Sequence, residues 1–253
     1  MSKDLFSTQA ADYAKWRPGY PKELINYIVS HVKHHNTAWD CATGNGQAAT
    51  LLAEHFDKIL ATDLSNEQLK YAKQHPKITY TQSPAEHTPF ESNTFDLITV
   101  AQAYHWIDHQ KFCEEARRVC KPGAIVAVWG YDLCFTPDKT VNELIRKFYT
   151  ETVGPYWDAA RKLVDLQYKT VYFDFNEIPV SEQFSIKMTW SIRDLEGYLN
   201  SWSSVQKYIK VNGHSPVEAF INEVRRQWPR QEELSFEFPL FLRMGSVTRS
   251  LGH

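Results

Sequence analysis

Between residues 20 and 130 the chain alternates short apolar runs with segments whose apolar positions recur at helical spacing. Leu24, Ile25, Ile28, Val29 and Val32 form a stripe behind Pro21, which suits a first helical turn, and predict a helix over 20–35. Thr37–Ala42 reads as a short strand, and residues 46–55, with Ala48, Ala49, Leu51 and Leu52, as a helix. Strands follow at 59–62 and 78–81, and Ser65-Asn66-Glu67-Gln68 has the capping-box form that opens a helix to about Gln74. Phe95–Ala101 is mostly apolar, as expected of a buried parallel strand. A helix over 108–120, a break at Lys121-Pro122-Gly123 and a strand over 124–129 complete the unit.

Strands alternating with helices predict βαβ units, hence an α/β chain with a doubly wound, mostly parallel sheet. After residue 131 the rhythm changes. Helical segments are expected at 141–150, 159–167, 191–201 and 217–228, and strands at 184–190 and 236–244. The expected organisation is a ligand-binding core over 1–130 with an N-terminal lid, a helical and aromatic cap inserted over 131–183, and a return to the sheet over 184–253.

The first strand runs into Asp40-Cys41-Ala42-Thr43-Gly44-Asn45-Gly46, and Asp63 ends the second. Glycine permits a tight turn and close approach of a ligand, and the next helix offers unpaired amides to it. From Gly44 to Asp63 is 19 residues, matching the distance from a glycine loop to a ribose-binding carboxylate. An adenosine-containing ligand is therefore expected. Gly44-x-Gly46-x-x-Ala49 also fits a dinucleotide fingerprint, which keeps a nicotinamide-dependent oxidoreductase open; Asp40, where that loop is usually apolar, favours another adenosyl ligand.

Composition narrows this little. A net charge of -2 gives no nucleic-acid footprint, and no run of 18 apolar residues spans a membrane. Met1–Tyr20 has no apolar core of a signal peptide, and four cysteines without a CxxC pair are expected as free thiols in a reducing cytoplasm. The histidines, His34-His35 included, form no metal-ligand pattern. Aromatic residues make up 14% of the chain, divided between core packing and an expected aromatic-lined pocket; Trp202 is expected in the core. Nothing indicates an oligomeric state.

These motifs, in this order, resemble class I S-adenosylmethionine-dependent methyltransferases, in particular the small-molecule group that includes trans-aconitate methyltransferases. Residues 5–130 carry the likeness. Beside the loop and Asp63 stand Tyr13-Ala14-Lys15-Trp16-Arg17-Pro18-Gly19-Tyr20-Pro21, Pro84-Ala85-Glu86-His87-Thr88-Pro89-Phe90 and Ala101-Gln102-Ala103-Tyr104-His105-Trp106. The resemblance implies a seven-stranded Rossmann-like sheet and S-adenosylmethionine held by Tyr13, Arg17, Asp40, Ala42, Gly44, Asn45, Gly46, Asp63, Leu64, Ala85, Glu86, Ala101 and Gln102. Alanine at 42, where the family has glycine, implies that this position needs no positive φ. Tyr20, His105 and Trp106 would face a small-molecule acceptor, with His105 the candidate base for a hydroxyl acceptor. Arg17 favours an acidic one, methylated at a carboxylate oxygen. A donor-binding module without catalysis is the further alternative.

Overall fold

The computed structural model of the chain describes residues 16–228 and 233–248. Its first half is the expected alternation: α1 (Lys22–Ser30), β1 (Thr37–Cys41), α2 (Gln47–Leu52), β2 (Lys58–Asp63), α3 (Asn66–Lys70), β3 (Ile78–Gln82), β4 (Phe95–Ala101), α4 (His109–Val119) and β5 (Cys120–Tyr131). The second half adds α5 (Lys139–Lys147), α6 (Arg161–Asp165), β6 (Asn176–Ile178), β7 (Phe184–Ser191), α7 (Ile192–Asn200), α8 (Ser203–Asn212), α9 (Val217–Gln227) and β8 (Glu233–Ser246).

The sheet has eight strands rather than seven, in the order β3-β2-β1-β4-β5-β8-β6, with β7 also on β8. The pairings among β1 to β5 are parallel. Every pairing of β8 is antiparallel, so the sheet is mixed. β6 and β7 lie end to end along the same edge of β8, like one strand interrupted at residues 179–183. That interruption raises the count by one.

Side chains alternate between the two faces of the parallel strands, and each face is covered. Trp39, Ile98, Val100, Val126 and Val128 pack with Phe112, Cys113 and Ala116 of α4. Ala38, Ile59, Leu97, Ile125 and Trp129 pack with α1 and α2 through Leu24, Ile28 and Leu52. A third core gathers α5, α7, α8 and α9 against β7 and the first half of β8. It draws on both 131–183 and 184–253, and β6 lies inside the stretch expected to be cap alone. Trp202 sits in this core, 2% exposed, beside Phe148, Trp157 and Tyr198.

Candidate functional site

Three residues of the loop after β1 take left-handed backbone angles: Ala42 at φ +53, Gly44 at +57 and Gly46 at +80. The Thr43 amide donates to the Thr62 carbonyl at 2.8 Å, and the Gly46 amide to the Thr43 carbonyl at 3.0 Å, closing the turn on β2. Gly46 caps α2, and a Cβ there would run into the Tyr80 hydroxyl, which with its left-handed φ favours glycine. Ala42 corrects the expectation that its position needs no positive φ. An L-residue in this region is strained by about 1–2 kcal/mol. Ala42→Gly should therefore raise stability by roughly 0.5–1 kcal/mol after the added freedom of the unfolded glycine. Chemical denaturation measures this, and a loss of stability would show that the turn tolerates alanine without strain.

Asp40 lies beneath this loop, fully buried and off the cavity wall. Its Oδ2 accepts from the Ala49 amide at 3.1 Å and the Thr43 hydroxyl, and its Oδ1 from the Thr99 hydroxyl at 2.7 Å. It thus ties the loop, α2 and β4 together. Burial is the main reason its pKa is pushed up to about 6, with Asp63 adding repulsion.

The cavity, about 600 Å³, opens at the C-terminal tips of β1 to β5, where α/β sheets bind ligands. Ala42, Gly44 and Asn45 form its wall after β1, Asp63 and Leu64 after β2, Ala85 and Glu86 after β3, and Ala101 and Gln102 after β4. Asp63 Oδ2 accepts from the Gly44 amide and Oδ1 from the Ser65 amide, both at 2.8 Å. The carboxylate is thereby fixed at the rim. Leu64 keeps 44% of its surface exposed. Glu86 Oε1 accepts from the Asp108 amide at 2.9 Å, so it also braces the start of α4. Gln102 adopts φ +52, and its Oε1 accepts from the Tyr131 amide, locking the tip of β4 to β5.

Arg17, Pro18 and Tyr20 of the N-terminal segment also line the cavity. Tyr13 lies outside the described residues. Arg17 donates to the Tyr131 hydroxyl at 2.9 Å and the Ser201 carbonyl at 3.2 Å, and lies over the Tyr198 ring; Tyr20 meets Trp129 edge-on. Trp16 lies flat on Gly197 of α7, where an added Cβ would come within 2.5 Å of the indole. Glycine inside a helix costs about 1 kcal/mol against alanine, so this close approach is the physical reason for it. Gly197→Ala should stabilise α7 locally yet displace Trp16. We expect cofactor affinity to fall by roughly tenfold, about 1.4 kcal/mol; unchanged affinity in a titration would show that the segment does not cover the cofactor.

His105 and Trp106 form a short 3₁₀ turn on the cavity wall. His105 is 8% exposed, and its Nδ1 lies 2.9 Å from the Tyr168 hydroxyl. Burial first, then the charges of Arg161, His109 and Arg17, push its pKa down to about 3. It is therefore uncharged at physiological pH, the form that can accept a proton, but a weak base. Tyr168 is carried by consecutive left-handed residues, Gln167 and Tyr168, and held through its carbonyl by Arg243.

Ser83, Ile107, Tyr131, Asp158 and Ala160 also line the cavity but were not singled out from sequence. Ile107 directly follows the quoted Ala-Gln-Ala-Tyr-His-Trp segment, so extending that segment would have found it. Asp158 and Ala160 come from the cap more than a hundred residues after the loop, with no motif around them. Among the described residues no group of three or more His, Cys, Asp or Glu is placed to hold a metal, and no helix is long and apolar enough to cross a membrane.

A family profile described as "Methyltransferase domain" matches residues 39–128, from β1 into β5. A Dictyostelium discoideum protein assigned as a methyltransferase is 34% identical over 87% of this chain and 84% of its own length. The chain belongs to the class I S-adenosylmethionine-dependent methyltransferases. An Anaeromyxobacter dehalogenans protein assigned as a type II methyltransferase has a solved structure that superposes with a TM-score of 0.84 at 31% identity, covering 92% of this chain and 99% of that one. A methyltransferase of Aspergillus candidus is 26% identical over 95% of this chain and 79% of its own. The enzyme therefore uses S-adenosylmethionine, which sets aside the nicotinamide reading.

Proposed function

We propose that this methyltransferase acts on a small acidic molecule and methylates a carboxylate oxygen, as in the trans-aconitate methyltransferase group its N-terminal and post-β4 segments resemble. The observation that carries the reading is the cationic wall around His105: Arg17 lines the cavity with it, and the imidazole is buried against Tyr168 with its pKa pushed down, a weak base. A hydroxyl acceptor would need a base there. A carboxylate is already ionised at neutral pH, needs none, and is drawn to Arg17 on the cavity wall.

S-adenosylmethionine, when bound, supplies a methyl group already activated by its sulfonium charge. The cavity residues fit such a donor: Asp63 offers a fixed carboxylate to ribose hydroxyls, and Leu64 and Ile107 offer apolar surface to a purine. The remaining task is alignment of acceptor and methyl along one axis, which positioning alone can accelerate greatly. Gln102, His105 and Trp106 shape the acceptor side, while the N-terminal segment and the cap exclude water. Residues of the cap, including Asp158 and Ala160, would then set acceptor choice.

The test is methyl transfer from labelled S-adenosylmethionine to a panel of small carboxylic acids, alcohols, phenols and amines. Carboxyl methyl esters release methanol in alkali, whereas ethers and methylamines do not. Base-labile product from an acid is expected; base-stable product on an alcohol or amine would overturn the carboxylate reading.

A further inference from the structure

We infer that Arg161 is an anion anchor, holding a negatively charged group of the acceptor separate from the oxygen that receives the methyl. The inference rests on the proposal of an acidic acceptor and adds where its second charge sits. Arg161 opens α6 in the cap, and its side chain is only 15% exposed. A cation this buried is costly unless a partner compensates it. The guanidinium lies over the Trp157 ring at 5.0 Å and the Tyr149 ring at 5.6 Å. Its Nε donates to the Tyr149 hydroxyl at 2.9 Å, and the nearest carboxylate, Asp165, stands 3.6 Å from that same nitrogen. Of five donors, one is used. Among the described residues neither terminal nitrogen makes a hydrogen bond, and neither is sealed from solvent.

Arg161 belongs to the wall of a recess of about 40 Å³, which shares Arg17, Gln102, His105, Trp106 and Asp158 with the large cavity. The volume suits one planar anionic group. The charge balance there favours an anion. Asp158 is the acidic residue of the wall, and Lys207 Nζ neutralises it at 2.5 Å. His105 carries no charge. A planar fork of donors between aromatic walls matches carboxylate bidentately, and phosphate or sulfonate nearly as well.

The anchored group is not the methyl acceptor. An oxygen whose lone pairs are committed to a guanidinium is a poor nucleophile, and methylating it would erase the charge that holds it. The acceptor therefore bears an anion in the recess and a separate carboxylate directed into the large cavity.

Binding, not turnover, decides the matter. Protein loaded with S-adenosylhomocysteine is titrated by calorimetry with straight-chain dicarboxylates, their half-amides, and the matched phosphono and sulfo acids. The dicarboxylates should bind roughly tenfold tighter than the half-amides, the worth of one charge-assisted contact. Arg161→Gln should remove that difference and Arg161→Lys should keep part of it, while affinity for S-adenosylhomocysteine stays within about twofold and reports an intact fold. The phosphono and sulfo arms show which anion the recess prefers. Retained discrimination in Arg161→Gln, or no binding by any acid, overturns the anchor. Arg161-dependent binding without base-labile product would sustain the anchor and refute carboxyl methylation instead.

Discussion

Replacing Asp63 with alanine should lower affinity for S-adenosylmethionine and S-adenosylhomocysteine by roughly a hundredfold or more, about 2.7 kcal/mol. Two losses add. The first is the carboxylate that ribose hydroxyls would meet, and hydrogen bonds to a charged acceptor are worth about 1.5–3 kcal/mol each. The second is internal. Asp63 Oδ2 holds the Gly44 amide and Oδ1 the Ser65 amide, so alanine also releases the loop after β1 and the start of α3. Asp63→Asn separates these effects only partly, because its NH₂ must face one of the two backbone N–H groups. We expect the asparagine variant to lose nearly as much affinity. Calorimetric titration of both variants is the measurement, with circular dichroism confirming the fold. A loss of less than tenfold in Asp63→Ala would remove the residue from the cofactor site.

The cavity wall at the strand tips is legible in the sequence because its signals are local. Each part of the wall sits just after a strand, so glycine spacing, an acid at a strand tip and an apolar strand suffice to place it. Thirteen of the fourteen residues from Ala42 to Trp106 and Arg17 to Tyr20 named from sequence fall on the cavity wall; Gly46 instead caps α2, and Asp40 lies below. What sequence could not reveal is what depends on three-dimensional environment. Identity alone puts His105 near a neutral-pH transition; burial, and then the charge of Arg161 from the cap, push it down. Arg161 itself stands in no motif, and only the packing of Trp157 and Tyr149 makes its burial visible. The sheet erred by one strand for a related reason. β6 is three residues long, too short for a period-2 signal, and exists through its pairing with β8. α8, with polar Ser203, Ser204 and Gln206 in its first turns, escaped the same way.

Asp40→Asn should stabilise the enzyme above about pH 6 and lose that advantage in acid. Asp40 has a folded pKa raised to about 6 from 3.8, chiefly by burial, so the folded state binds its proton more tightly than the unfolded chain. As pH rises from 3.8 through 6, folding must increasingly deprotonate a group in a dry site, and stability falls. Above that window the penalty is complete, on the order of 3 kcal/mol for a shift of about two units at 1.36 kcal/mol each. Asparagine carries no charge to bury. Its oxygen can take the place of Oδ2, accepting from the Thr43 hydroxyl and the Ala49 amide. Its NH₂ can donate to the Thr99 hydroxyl, whose own proton then turns to the Trp39 carbonyl at 3.5 Å. Exchange of acceptor for donor is thus tolerated by a rotating hydroxyl, so most of the gain should survive, roughly 1–3 kcal/mol at pH 8 and near zero at pH 4. Urea denaturation of both proteins across that range gives the difference directly. A stability difference that is flat with pH would mean Asp40 titrates normally when folded. Because Asp40 lies beneath the loop and off the cavity wall, the same variant should keep cofactor affinity within about threefold, less than 1 kcal/mol. A large loss of affinity would instead show that its negative charge acts through the loop on the cationic end of S-adenosylmethionine.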